Sequence, residues 1–173
     1  MKNNKKIIGG GKSGKGAGKG ISKGGFTLIE ILLVMGIIAI LAAVVIVAIN
    51  PARQFAQARN SQRTSNVFSI LNAVSQNMTD NQGVFSCPAA GAIPTTATVI
   101  KSSGGYDVAN CLVPTYLPAM SFDPSMQGAH FTSGTDYDTG YTIVKDSTTG
   151  RITVAAPEAL NPSELNKTIS ATR

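Results

Sequence analysis

Residues 26–49 read FTLIEILLVMGIIAILAAVVIVAI, an apolar stretch in which Glu30 is the one charged residue. As an α-helix rising about 1.5 Å per residue, it would be roughly 36 Å long, which exceeds the bilayer core of about 30 Å. A β-strand of this length would be exceptional, and lipid would leave its edges unpaired. The stretch therefore predicts a membrane-spanning helix.

The charges on either side of this stretch predict its orientation. Seven of the 15 lysines and arginines are lysines within residues 1–25, and that segment has no acidic residue. Only Arg53, Arg59 and Arg63 follow the stretch closely. This bias predicts a cytoplasmic N-terminus and an exported C-terminal part. Residues 26–173 carry eight basic and nine acidic residues, a net charge of −1, so charge predicts no binding to nucleic acid.

Glu30 is the unusual residue of the apolar stretch. A carboxylate in lipid costs about 2.5 kcal/mol or more near a helix centre, and less toward an end. One explanation is a snorkelling or protonated carboxyl near the interface. The other is a cut between Gly25 and Phe26, because the new α-amine on Phe26 would titrate near pH 8 and carry positive charge at neutral pH. That amine would meet Glu30 of its own helix or of a neighbour.

The junction Lys23-Gly24-Gly25-Phe26-Thr27-Leu28-Ile29-Glu30 resembles the processing motif of the type IV pilin family, which includes the pseudopilins of secretion and DNA-uptake machines. The resemblance implies cleavage by a prepilin peptidase on the cytoplasmic face after Gly25, and methylation of the Phe26 amine. In that family the glycine at this position is needed for cleavage. The glutamate at the position of Glu30 pairs with the amine of an adjacent subunit during assembly. A 25-residue leader is long for pilins with Phe at the cut, which leaves the subclass open.

The sequence beyond the apolar stretch predicts an amphipathic helix. Apolar residues recur at offsets of three and four, which is typical of one buried helix face; they are Val67, Ile70, Leu71, Val74 and Met78. The polar residues Arg59, Gln62, Arg63, Asn66 and Gln76 are expected to point away from that face. We expect one long helix from Phe26 to about Asp80, bent or interrupted near Pro51 and stopped by Asn81-Gln82-Gly83.

Residues 81–173 are rich in Gly, Pro, Ser and Thr and predict a β-rich head. The clearest hairpin joins Tyr141–Lys145 to Arg151–Ala155 through turn-forming residues. Weaker strand candidates are 98–101, 112–117 and 129–132, and Pro114 restricts the second to an edge strand or a loop. The predicted fold class is α+β. A basic leader (1–25) precedes a long helix (26–80, membrane-spanning over 26–49), and a small antiparallel sheet (81–173) packs against the helix.

Few residues of the chain suit catalysis or metal binding. With no Trp, one His (His130) and two Cys, the composition argues against an enzyme or a bound cofactor. We expect Cys87 and Cys111 to form a disulfide in the exported part, although two buried free thiols remain the alternative. Asp136 and Asp138 are weak calcium candidates, because a later acidic ligand is missing and a solvated turn is the favoured explanation.

Together with these patterns, the resemblance to type IV pilins implies a structural subunit, a pilin that polymerises into a surface filament serving adhesion, motility or DNA uptake. Its expected partners are copies of itself, the prepilin peptidase, the inner-membrane assembly machinery, minor pilins and, before assembly, the cytoplasmic membrane. Three alternatives stay open. They are a pseudopilin of a type II secretion or competence system, a minor or tip pilin that binds DNA or a receptor, and a membrane-anchored exported enzyme.

Overall fold

The computed structural model describes residues 24–173, and the lysine-rich leader through residue 23 lies outside the described residues. The fold class is α+β, as predicted. Two long helices, α1 (Leu28–Ile49) and α2 (Pro51–Asp80), precede a small antiparallel sheet. By its internal contacts the chain divides into two units, one ending at Val44 and one beginning at Val45.

The first helix, α1, is 22 residues long, and every one of its residues is exposed. It is the one helix of the described chain that is long and apolar enough to cross a membrane. Leu, Ile, Val and Ala surround the helix on all sides, so it has no polar face to turn toward water. At about 1.5 Å per residue it measures about 33 Å.

The two helices are separated at Asn50, one residue before the proline that predicted the interruption. A residue that precedes proline is disfavoured in the right-handed helical region, and Asn tolerates the left-handed one. Asn50 accordingly has φ 47°, and its side-chain oxygen accepts a hydrogen bond from the Arg53 N–H at 3.3 Å. Pro51 then occupies the first position of α2, where its missing N–H costs nothing. The local sequence thus ends one helix and begins the next.

The sheet of the second unit contains five strands: β1 (Thr98–Lys101), β2 (His130–Ser133), β3 (Asp136–Lys145), β4 (Ile152–Ala155) and β5 (Ser170–Thr172). All observed pairings are antiparallel, in the order β1-β3-β4-β5, and β2 pairs with the start of β3. The apolar face of α2 is buried as predicted, and α2 packs on β4 and β5. A short helix, α3 (Ala109–Leu112), and two 3₁₀ turns, Pro157–Leu160 and Pro162–Glu164, complete the unit.

Most of the strand predictions are confirmed, and two features differ. The hairpin and the strand over 98–101 are present, and the candidate at 129–132 is displaced by one residue. The predicted strand over 112–117 is wrong, because the chain there completes α3 and then turns. The Tyr137 hydroxyl accepts hydrogen bonds from the Val108 and Ala109 N–H groups, which fixes the start of α3. Strand β5 was not predicted.

Arg63 corrects the expectation that the polar residues of α2 all point away from the core. Its side chain is fully buried, and its five N–H groups each have an acceptor nearby. Two donate to Asp123 (2.7 and 3.0 Å) and one to Glu164 (2.8 Å). The others donate to Asn60 Oδ1 (2.7 Å) and Ser125 Oγ (2.6 Å).

Arg59 adds a second cation to this cluster. Its Nε donates to both carboxylate oxygens of Glu164, at 2.8 and 2.9 Å. The Asn60 side chain also donates to the Glu164 carbonyl at 2.6 Å. We call Arg59, Arg63, Asp123 and Glu164 the charge cluster. It ties α2 to the loop before β2 and to the segment that leads into β5.

Replacing Arg63 with Met should destabilise the head strongly. The substitution leaves the Asp123 carboxylate buried without its cation and leaves Glu164 with Arg59 alone, and breaking a buried pair in this way costs about 3–5 kcal/mol. We expect that loss in the free energy of unfolding, measured by urea titration of the full chain in mild detergent. The matched control is Gln62→Met at the adjacent exposed position, with an expected change within about 0.5 kcal/mol. Equal effects of the two substitutions would contradict a structural role for the cluster.

The charge cluster should also make the head sensitive to acid. Hydrogen bonds from Arg59 lower the pKa of Glu164, and those from Arg63 add to this effect against the opposing effect of burial. Burial by itself would raise the pKa of Asp123, but its bonds to Arg63 and to two backbone N–H groups hold that pKa below its ordinary value.

A carboxyl whose pKa is lower in the folded state stabilises the protein at any pH above its pKa in the unfolded chain, which is about 4. This contribution is lost as the pH falls through the pKa of the folded state. We therefore expect Asp123 and Glu164 to add a constant amount to the unfolding free energy from about pH 7 to 5, and this contribution to decline below about pH 4.5. The Glu164→Gln variant should show a shallower decline in the same detergent titration. An identical pH profile for this variant and the unmodified chain would refute the assignment to Glu164.

Candidate functional site

The candidate site is the start of α1, where the sequence predicts cleavage and assembly. Residues 24–27 form no regular secondary structure, and the helix begins at Leu28. Gly24 and Gly25 are exposed, and a Cβ atom added to either would meet nothing within 4 Å. Packing in the described chain therefore does not require glycine at these two positions. Phe26, the next residue, is 80% exposed.

Thr27 and Glu30 close the first turn of α1 by a reciprocal pair of hydrogen bonds. The Glu30 N–H donates to Thr27 Oγ1 at 3.2 Å, and the Thr27 N–H donates to Glu30 Oε2 at 3.5 Å. The Thr27 carbonyl accepts the first helical bond, from the Ile31 N–H at 3.2 Å. This arrangement is a capping box, and it satisfies N–H groups that a helix N-terminus otherwise leaves without partners.

The capping box gives Glu30 a structural role that the sequence argument missed. The signal was present as Thr-x-x-Glu at the start of the apolar stretch, which is the usual pattern of a capping box. A carboxylate in the first turn also interacts favourably with the positive end of the helix dipole. Glu30 is thus accommodated at the helix start even in a chain that still carries the residues before Phe26.

The position of the box relative to Gly25 has a chemical consequence. Thr27 and Glu30 both follow the Gly25–Phe26 bond, so a cut there leaves the cap in the retained chain. The new α-amine would lie one residue before the cap, where the helix dipole disfavours a cation. A carboxylate within the first turn offsets that unfavourable interaction. The helix start can therefore hold an amine and a carboxylate of opposite charge close together.

The other predicted site residues lie in the head and do not form one cluster with each other. Cys87 and Cys111 form a disulfide with Cα atoms 5.5 Å apart. The cross-link encloses β1 and joins the segment after α2 to α3. On the loop-entropy model a closed loop of this size stabilises the fold by about 3 kcal/mol.

The two calcium candidates are engaged in local hydrogen bonds. Asp136 Oδ1 lies 3.1 Å from His130 Nε2, and Asp138 Oδ1 accepts from the Gly140 N–H at 2.9 Å. His130 also bonds the Gly128 carbonyl, and this bond, followed by the one to Asp136, raises the pKa of His130. Over residues 24–173 there is no group of three or more His, Cys, Asp or Glu side chains that could hold a metal ion. Calcium binding at Asp136 and Asp138 stays a prediction.

Comparison with known families supports the assignment of this site. Residues 22–46 match the family model described as the prokaryotic N-terminal methylation motif, which is the prepilin signature of type IV pilins and pseudopilins. The match covers the glycines, Phe26, the capping box and most of α1. It supports a type IV pilin-like or pseudopilin-like precursor and implies processing by a prepilin peptidase. Neither a curated protein nor a solved structure matches the chain.

Substituting Thr27 with Val should loosen the first turn of α1. Valine has nearly the same shape but cannot accept the hydrogen bond from the Glu30 N–H, and loss of a helix cap costs about 1 kcal/mol. We expect about fivefold faster hydrogen exchange of the Glu30 amide in the full chain embedded in lipid nanodiscs. Thr27→Ser keeps the hydroxyl and should exchange like the unmodified chain. Equal protection in the Val and Ser variants would show that the cap does not stabilise the turn.

Proposed function

We propose that this chain is a pilin. On this proposal residues 1–25 are a cytoplasmic leader, 26–80 a helical segment and 81–173 an exported head. A prepilin peptidase cuts after Gly25, the Phe26 amine is methylated, and the mature chains polymerise into a type IV pilus-like filament for adhesion, motility or DNA uptake. The observation that carries the proposal is a methylation motif joined to an apolar helix that is exposed along its whole length.

The geometry before α1 supports the cleavage step. A peptidase needs an extended, accessible backbone, and residues 24–27 lie exposed outside the helix. Both glycines have open space around them, so their identity fits recognition by an enzyme better than a packing requirement. The cut also removes seven lysines, whose charge would otherwise have to be desolvated within a packed bundle of helices.

The apolar surface of α1 suits two successive environments, first lipid and then the helices of other copies. In the precursor the helix is covered by lipid, which matches its length and composition. In the filament it is covered by the α1 helices of other copies. Lipid tails and apolar side chains are similarly apolar surroundings for a helix. Replacing lipid by other helices therefore has little net hydrophobic cost, and helix association depends on close packing and polar pairing. Gly36 has open space around its Cα and permits close approach of a second helix.

Glu30 supplies the polar pairing on this proposal. Inside a bundle of apolar helices a carboxylate without a cation is costly, and the retained segment 26–49 contains no Lys or Arg. The Phe26 amine of a neighbouring copy provides the missing charge once the leader is removed. Methylation adds a small apolar group and keeps the positive charge. Pairing between copies then fixes the register in which α1 helices associate.

The motif is shared with pseudopilins, so a pseudopilin of a type II secretion or competence system is the second candidate. The two candidates differ in the product, since a pilin builds long surface filaments and a pseudopilin builds short ones. The partners proposed for the pilin are copies of the chain, the assembly machinery of the inner membrane and minor pilins.

The proposal predicts the product found on cells. Filaments sheared from the surface should consist mainly of chains that begin at methylated Phe26, as read by N-terminal sequencing and intact mass. Gly25→Val should leave the precursor uncut in the membrane, whereas Gly24→Ala, at the neighbouring open position, should be processed normally. Glu30→Gln should be cut but should give few or no filaments, because the amine then lacks its counter-charge.

Three results would contradict the proposal. They are recovery of the uncut chain alone from the unmodified strain, normal filaments from Glu30→Gln, and normal processing of Gly25→Val. Processed chains that appear only in short membrane-bound filaments would favour the pseudopilin.

A further inference from the structure

The first turn of α2 is exposed and follows almost directly on the apolar helix. Residues 45–49 belong to the same unit of the chain as α2, and one residue, Asn50, separates the two helices. The first residue of α2 that is buried in the head is Ala56, which is 1% exposed. Before it, Arg53 is exposed and Phe55 exposes 65% of its surface. The head therefore leaves this turn uncovered.

The length of chain after Ile49 places this turn in the headgroup layer when α1 crosses a bilayer. That layer is about 5–8 Å thick on each side of the hydrocarbon core. At about 1.5 Å per residue, the backbones of Arg53 and Phe55 lie about 6 and 9 Å beyond Ile49. Side chains of a helix lean toward its N-terminus, which for α2 is the end next to α1. Both side chains therefore reach back toward the lipid phosphates.

Arg53 is a cation without an acidic partner. It is the only charged residue between Glu30 and Arg59, and the next acidic residue after Glu30 is Asp80. None of the ion pairs found over residues 24–173 includes Arg53. A guanidinium binds phosphate oxygens through charge-assisted, often bidentate hydrogen bonds. An arginine near the end of a span can also lay its aliphatic part against lipid and extend its charged end to the headgroups.

Phe55 supplies an apolar ring on the other side of the helix. Two residues apart in an α-helix, its side chain lies about 200° around the axis from that of Arg53. A helix that lies flat on a membrane gathers its apolar residues on one face, whereas a helix that passes through the headgroup layer meets lipid on all its uncovered sides. Aromatic rings are enriched at this depth in membrane proteins, most often those of Trp and Tyr. The positions of Arg53 and Phe55 fit a helix that passes through the layer.

We propose that Arg53 and Phe55 form an interfacial anchor, in which Arg53 binds the phosphate group of a membrane phospholipid and Phe55 packs among the lipids beside it. The inference rests on the proposed function in one respect, that α1 crosses the membrane before assembly. The occupant follows from continuity, because the lipid that covers residues 45–49 extends into the headgroup layer around the next turns. The anchor fixes the depth of the unassembled chain, and entry into a filament requires Arg53 to leave its lipid phosphate.

Fluorescence quenching tests the depth of Phe55. The chain contains no Trp, so Phe55→Trp introduces a single fluorophore into the full chain. In vesicles of phosphatidylcholine and phosphatidylglycerol, we expect bromine near the headgroup end of the acyl chains to quench it about threefold more than bromine near the methyl end. Phe68→Trp is the matched control, because Phe68 is half exposed on the same helix about 20 Å farther along. Neither lipid should quench the control, and equal quenching of the two variants would overturn the placement.

Solid-state NMR tests the phosphate contact of Arg53. In phosphate-free buffer the lipid headgroups are the source of phosphorus, so dephasing of labelled guanidinium carbons by phosphorus reports contact with lipid rather than with a free anion. We expect this dephasing in the unmodified chain and its loss in Arg53→Gln. Arg151→Gln, at an exposed position before β4, is the control and should keep it. Dephasing that is absent from the unmodified chain, or that survives in Arg53→Gln, would overturn the phosphate contact.

The outcomes separate the anchor from the function on which it rests. If cells form no surface filaments while Phe55→Trp is quenched and Arg53 contacts phosphorus in vesicles, the proposed function fails and the anchor stands. If filaments form and either lipid measurement gives the contrary result, the anchor is wrong and the function stands.

Discussion

The apolar surface of α1 is the constraint on which the other features of this chain depend. A helix with no polar face, exposed over all 22 residues, is incompatible with water and has to be covered by lipid or by other helices. Neither environment tolerates an unpaired charge, which explains why the one carboxylate lies in the first turn. There the capping box and the helix dipole provide favourable partners. The head, in contrast, has its own buried core, and buried ion pairs and a disulfide connect its segments.

Patterns that depend on neighbouring residues were readable from the sequence. Composition predicted α1, the three-and-four spacing predicted the buried face of α2, and turn residues between two β-rich runs predicted the β3–β4 hairpin. The interruption near Pro51 followed from the backbone restrictions of proline. The methylation motif was equally local, and its residues fall within the family match. In each case the physical cause acts within a few residues, so a single sequence contains it.

Features that depend on distant residues were not readable. Arg63 looked like a solvated residue because its carboxylate partners are 60 and 101 positions away. Strand β5 is three residues long and is a strand because it pairs with β4. The expected strand over 112–117 failed because Tyr137, more than twenty positions later, fixes the start of α3. The cap formed by Thr27 is different, because its signal was local and was overlooked while Glu30 was considered only as a charge.

The disulfide links the maturation of the head to the compartment in which it folds. A thiol pair of this kind generally stays reduced in the cytoplasm and oxidises outside it. Under the proposed topology, a head that has not yet crossed the membrane lacks the Cys87–Cys111 bond and therefore part of its stability. The redox state of these two sulfur atoms consequently records which side of the membrane a given molecule has reached. Under that topology, crossing the membrane precedes the final covalent stabilisation of the head.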